Sequence, residues 1–285
     1  MKKITLTFSL LLMTMITFAQ SFYAVRGQRS LVLTGGTGVS TDYGELANPG
    51  DYLKANLNLN VGLQYHLSSR ISSRIELNWF MLEGDDAKAT PESGRIQRGL
   101  SFQSSNFEIS AVGMVNLFAY SGRFNRRPNF NAYGFMGVGL LYFNPKGKDP
   151  VTGQMVPLQP LKTEGVSYSN VTFAIPYGLG GKVKVTPQLD LAVEIGWRKL
   201  FTDYLDDVST TYQGDAAFTD FVAQRLSDKR TTAEKGTAGG IRGNPKNDDS
   251  YMLLNAKFEY YLPTFGKNSY ARKRSSVRYK RSRRR

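Results

Sequence analysis

The chain predicts an all-β protein: an eight-stranded antiparallel transmembrane β-barrel, with a short helix in the last outer loop and a disordered basic C-terminal tail. Three observations predict it. Apolar and polar residues alternate with period two over long segments. The connections between those segments alternate short and long. Past the N-terminus there is no apolar stretch of helical membrane length, so a chain that crosses a bilayer must do so as a closed barrel.

The first segment reads as a signal peptide. Lys2 and Lys3 form a charged start, Ile4 to Phe18 is apolar, and Thr17-Phe18-Ala19 places small residues before a cleavage ahead of Gln20. The apolar run is shorter than the ~20 residues that a spanning helix needs. Residues 1–19 are therefore expected to be removed, 20–262 to form the barrel, and 263–285 to form the tail.

Six strands follow from clean alternation. Ala55 to His66 sets Leu57, Leu59, Val61 and Leu63 against Asn58, Asn60 and Gln64. Ile71 to Met81 sets Ile75, Leu77 and Trp79 against Arg74, Glu76 and Asn78. Asn106 to Phe118 carries Glu108 on its polar face, and Val171 to Val185 carries Lys182 and Lys184. Leu189 to Arg198 carries Asp190, Glu194 and Arg198, and Tyr251 to Tyr261 carries Asn255, Lys257 and Glu259. Two more are less regular. Ser30 to Tyr43 is glycine-rich, and Phe130 to Phe143 is apolar on both faces, so its register is open. Eight strands is an even number, as in bacterial barrels.

Leu67 to Arg70, Thr186-Pro187-Gln188 and Tyr120 to Asn129 are the shorter connections, expected in the periplasm with both termini. Gly44 to Lys54, Glu83 to Ser104, Asn144 to Asn170 and Lys199 to Asp249 are expected outside. Alternation alone does not say which face is inside, and a soluble barrel with an apolar interior fits it equally. Trp79 and Trp197, near the outer ends of their strands, favour the membrane form.

The polar faces carry Arg74, Glu76, Glu108, Lys182, Lys184, Asp190, Glu194, Arg198, Lys257 and Glu259, five of each sign. An eight-stranded barrel is just wide enough for side chains to fill it. Balanced charges can pair there and close the lumen, whereas a selective pore favours one sign. The net charge of +14 is misleading. Lys2 and Lys3 leave with the leader and ten cations sit in the last nineteen residues, which leaves +2 for the body. The tail cations that count as a docking element are Arg272, Lys273, Arg274, Arg278, Lys280, Arg281, Arg283, Arg284 and Arg285, directed at a protein surface or anionic lipid and, after export, not at nucleic acid.

Chemistry is sparse. The chain has no cysteine, which excludes disulfides, thiol catalysis and a lipid anchor on Cys. His66, the single histidine, reads as a filler of the polar face. Gly35-Gly36-Thr37-Gly38 lacks the lysine and helix of a phosphate loop and reads as a close-packed strand segment. No cofactor and no enzymatic activity are expected. In the last loop Asp203, Asp206 and Asp207 lie close together; calcium is one reading and turn capping the other. Ala216 to Lys229 reads as an amphipathic helix over the barrel mouth, capped by Asp215, and Arg230 to Lys246 as irregular.

This loop also carries a family resemblance. Leu200-Phe201-Thr202-Asp203-Tyr204-Leu205-Asp206-Asp207-Val208-Ser209-Thr210-Thr211-Tyr212, followed by Ile241-Arg242-Gly243-Asn244-Pro245-Lys246-Asn247-Asp248-Asp249-Ser250-Tyr251, resembles PorG-like outer-membrane proteins of the Bacteroidetes. The resemblance implies a component of the type IX secretion system, which supports gliding motility in some species, with the periplasmic ring subunits PorK and PorN as partners beside outer-membrane lipid. It implies no catalytic role for the motif residues. A small channel or a lipid-binding or ligand-binding barrel is the alternative.

Overall fold

The computed structural model describes residues 30–47, 56–120, 126–230 and 237–263. The leader and the tail cations from Arg272 to Arg285 lie outside them. Within them the strands are β1 (Leu31–Asp42), β2 (Asn56–His66), β3 (Ile71–Asp85), β4 (Ser101–Asn116), β5 (Phe130–Tyr142), β6 (Pro145–Lys148), β7 (Met155–Pro157), β8 (Val171–Lys184), β9 (Leu189–Leu200) and β10 (Ser250–Tyr261). Two short helices, α1 (Arg95–Arg98) and α2 (Phe221–Ser227), lie in loops.

Eight strands close into an antiparallel barrel. The order runs β3-β2-β1-β10-β9-β8-β5-β4, and β3 pairs with β4 to close it. β6 pairs with β4 above the end of β5, and β7 pairs with β6 as a surface hairpin. The chain ends of the barrel meet at one rim, where the Leu262 amide donates to the Leu31 carbonyl and Tyr261 to Gln188. The tight turns 67–70 and 186–188 lie at that same rim, with Ser68 and Thr186 hydroxyls accepting from the following amides. The long loops gather at the other.

The outward face settles the orientation of the pattern. Val138, Phe173 and Leu179 are 66%, 65% and 64% exposed, and most of the apolar positions named above face outward with them. The polar faces are buried inside. A contiguous apolar exterior around a charged interior is the inverse of a soluble barrel and fits lipid contact. No helix among the described residues is long and apolar enough to cross a membrane. The open register of β5 is now assigned: Asn131, Tyr133, Phe135 and Leu141 point in, while Met136, Val138 and Leu140 point out.

Two expectations about extent change. β3 and β4 pair as far as Asp85 with Ser101, well into what reads as loop. At 15 and 16 residues they exceed the ~9–11 that a tilted strand needs to cross the bilayer, so their ends stand above it. Leu82 and Phe102 on this extension pack inward against Leu46, Leu100, Phe143, Leu158, Leu205, Val208 and Leu226. That is the largest apolar cluster among the described residues, and it lies at the loop end of the barrel; a smaller one, of Val112, Met114, Tyr133 and Phe135, lies within the barrel. Loop burial, not local propensity, holds the extension.

The last loop also differs. Asp215–Ala217 forms only a 3₁₀ turn, Phe218 is extended, and the helix begins at Phe221. Asp220, not Asp215, caps it, accepting from the Val222 amide at 2.8 Å. Ala223 and Leu226 bury its inner face.

Candidate functional site

The lumen is built from β-strand register. Asn255, Lys257 and Glu259 of β10 lie beside Glu194, Ala192 and Asp190 of β9, and Glu76 of β3 beside Ser110 of β4. At mid-height Glu194 accepts from Arg74 at 2.8 Å, from Lys257 at 2.7 Å and from Tyr133 at 3.0 Å. Glu76 pairs with Lys257 at 2.8 Å and with Arg74 at 3.0 Å. One layer toward the loops, Glu108 meets Arg198 at 3.4 Å, the Asn78 amide at 3.0 Å and the Tyr251 hydroxyl. Toward the turns, Lys182 pairs with Glu259 at 2.9 Å.

Lys184 departs from expectation. It sits near the rim at the end of β8, half-buried rather than enclosed. The fifth interior cation is Arg127, from the connection before β5, which pairs with Asp190 at 2.6 Å and lies 4.2 Å over the Tyr261 ring. Arg74, Arg127, Lys182, Arg198 and Lys257 thus face Glu76, Glu108, Asp190, Glu194 and Glu259, all nearly inaccessible to solvent. The balance survives with one member exchanged. Arg127 lies outside any alternating segment, so no periodicity pointed to it. His66 fills space beneath, bonded to the Ser72 hydroxyl at 2.8 Å and packed against Tyr120.

The glycine segment of β1 serves this packing. A Cβ on Gly36 would lie 2.3 Å from the Ala256 carbonyl oxygen and 2.9 Å from the Lys257 side chain. The missing side chain leaves the path that Lys257 takes across the lumen.

Above the lumen the two sequence motifs come together. The Thr211–Ile241 bridge joins them, and the Asp249 amide donates to the Thr202 carbonyl at 3.0 Å. Arg242 is 3% exposed; it pairs with Glu164 at 2.8 Å and donates to the Asp207 and Ser227 carbonyls. Glu164 also accepts from the Ser209 and Thr210 amides. Gly243 lies against the Ser209 backbone, where a Cβ would meet it at 2.7 Å. Asn244 opens a turn to Asn247, with Pro245 inside it, and Tyr204 stacks on Tyr168.

Asp203, Asp206 and Asp207 do not form one group. Asp207, with φ of 68°, turns away to the hydroxyls of Thr163 and Tyr168. Asp203 and Asp206 instead meet Asp42 from the end of β1, Glu45 from the first loop and Asp249 just before β10. Burial raises the carboxyls of Asp206 and Asp249 well above their usual range, and pushes Glu45 to about 7 and Asp203 to about 6.

A family model described as Domain of unknown function (DUF6089) matches residues 7–219. The chain belongs to that family. The match covers seven of the barrel strands and the first motif, and stops before the second motif and β10. A search of curated proteins finds no match. Among solved structures, Neisserial surface protein A (NspA) is similar with a TM-score of 0.41 and 9% identity over 81% of this chain and 97% of that one. OprG, an outer membrane protein from Pseudomonas aeruginosa, has a TM-score of 0.41 and 10% identity over 84% and 99%. Ail, the attachment invasion locus protein of Yersinia pestis, has a TM-score of 0.40 and 11% identity over 82% and 99%. At identities and scores this low the likenesses decide nothing about the activity of the family.

Proposed function

We propose that this protein is a non-enzymatic outer-membrane component of the type IX secretion system, a sealed barrel that contacts the periplasmic PorK and PorN ring. The observation that carries the scaffold reading is the filled lumen: five cations and five carboxylates pair across it and exclude solvent at mid-height. Side chains locked in this way leave no wide aqueous path and no mobile acid or base for catalysis. The secretion reading rests on the resemblance of the two motifs, 200–212 and 241–251, to PorG-like proteins. The tail after Pro263, with its basic run, supplies the charge for docking on an acidic periplasmic surface.

The test is recovery of the tagged barrel from the native cell in mild detergent, with mass spectrometry of what accompanies it. PorK and PorN are expected, and barrels recovered repeatedly without ring subunits would overturn the secretion reading. Conductance of the purified barrel in planar bilayers separates the alternative: the filled lumen gives negligible current, and a small channel gives discrete steps.

A further inference from the structure

Five carboxylates from three separated stretches of chain converge under the outer loops. Asp42 ends β1, Glu45 lies in the loop after it, Asp203 and Asp206 come from the first motif and Asp249 from the second. Carboxylate oxygens of Glu45, Asp203 and Asp249 all lie within 4.8 Å of one another. Gly44 marks the wall of the same pocket: a Cβ there would lie 2.7 Å from Asp249 Oδ1, 3.0 Å from Asp206 Oδ2 and 3.1 Å from Asp42 Oδ2.

A cluster of acids alone is weak grounds for a site, because solvated acids cluster without consequence. Four of these five are enclosed, and Glu45 is half-buried. Asp42, Asp203, Asp206 and Asp249 are 5%, 8%, 1% and 1% exposed. Asp206 is satisfied by the Leu46 and Val208 amides, and Asp249 Oδ2 by the Leu205 amide at 2.9 Å. Asp249 Oδ1, which faces the pocket, has no hydrogen-bond partner; Asp42 leans only on the Tyr43 and Gly44 amides and Asp203 only on Ser209, none of them with good hydrogen-bond geometry. Among the described residues no Lys or Arg forms an ion pair with any of the five. Arg95 and Arg98, whose charges reach Asp42 and Asp206, make their ion pairs with Asp86 at 3.0 and 2.6 Å.

Buried carboxylates without a paired counter-charge carry a large desolvation cost, which is met by protons or by a cation. We propose that this pocket binds one divalent cation, calcium, held by Asp42, Glu45, Asp203 and Asp249 with Asp206 beside them. The ligand chemistry selects it. Oxygen donors exclude a soft-metal preference, and a site assembled from loops with several carboxylates suits the larger, irregular shell of calcium at 2.3–2.6 Å better than the strict octahedron of magnesium. Two oxygens on opposite sides of such an ion stand up to about 5 Å apart, so oxygens that all lie within 4.8 Å of one another can share one ion. The ion would tie the first outer loop to the last and to the root of β10. The inference stands on the geometry of the pocket and is independent of the secretion reading.

The test uses the full chain folded in detergent, with terbium as the luminescent probe sensitised by Tyr43 and Tyr204 beside the pocket. Saturable terbium emission is expected, displaced by calcium at far lower concentration than by magnesium. Asp249→Asn, Asp203→Asn and Gly44→Ala, the last placing a methyl among the oxygens, should each weaken terbium binding by about tenfold or more. Asp248→Asn, on the exposed neighbour, should not. Thermal unfolding supplies a second readout, which also serves if one variant folds poorly. In chelator Asp249→Asn should unfold at a higher temperature than the parent, because one buried acid fewer is crowded into the pocket; in calcium the order should reverse. Emission that fails to saturate, equal displacement by magnesium, or the same order of unfolding in chelator and calcium would each overturn the site.

Discussion

At the residue scale the interior illustrates how little an isolated charge says and how much its partner decides. Glu194 sits between Arg74 and Lys257 with about 1% of its surface exposed. Removing it leaves Arg74 and Lys257, both buried, sharing the single carboxylate of Glu76, so Glu194→Ala should cost ~3–5 kcal/mol. Asp248, about half-exposed in its pair with Lys199, is a counter-example on the same barrel. Its removal should cost roughly 0–1 kcal/mol. Heat-unfolding mobility on gels reads both, and equal shifts would refute the assignment of Glu194 to a paired network. The polar faces named these charges from the sequence because strand alternation is strict. Arg127 escaped because it reaches the lumen from a turn, where no period applies.

At the scale of elements, the outer loops behave as a packed unit rather than as free connections. Leu46, Leu158, Leu205 and Leu226 come from three different loops and share one apolar cluster with Leu82 and Phe102. Arg242 locks this unit through Glu164 and the Asp207 carbonyl. Arg242→Ala should leave the barrel strands folded, since none of these contacts lies in the membrane zone, but release the 201–249 loop. Limited proteolysis should then cut that loop while the heat-modifiable barrel band persists; an uncut loop would show that Arg242 is dispensable. The β6–β7 hairpin belongs to the same unit through Asp149, which accepts from Arg225 at 3.0 Å. That pairing holds the Asp149 carboxyl below its usual range.

At the scale of the whole molecule, the lack of cysteine makes topology directly testable. In intact cells, single cysteines at Glu92 and Lys246, both exposed at the loop end, should label with a membrane-impermeant reagent. A cysteine at Ser69, in a turn at the other rim, should label only after lysis. The reverse pattern would invert the barrel. The tail supplies the second expectation at this scale. Deleting Arg272 to Arg285 should leave the barrel inserted and heat-modifiable while weakening recovery of ring subunits, and raising salt in the wash should weaken recovery of the full chain likewise. Retention of PorK and PorN by the truncated chain through high salt would make the tail a passive extension.

What the sequence by itself determined is the number of barrel strands, which residues share a face in the regular ones, and most of the lumen charges. These follow from a period of two that every barrel strand must keep, because a slip of one residue would put charge into lipid. The two motifs of the last loop were equally legible as motifs. Only the tertiary structure decided which aspartates belong together. Asp42 and Glu45 are more than 150 residues from Asp203 and Asp206, and Asp207 points away from its own neighbours through a left-handed backbone. The extension of β3 and β4, the late start of α2 and the entry of Arg127 were likewise beyond local reading. Each is fixed by what the segment packs against after the barrel has closed, and that information is spread over the whole chain.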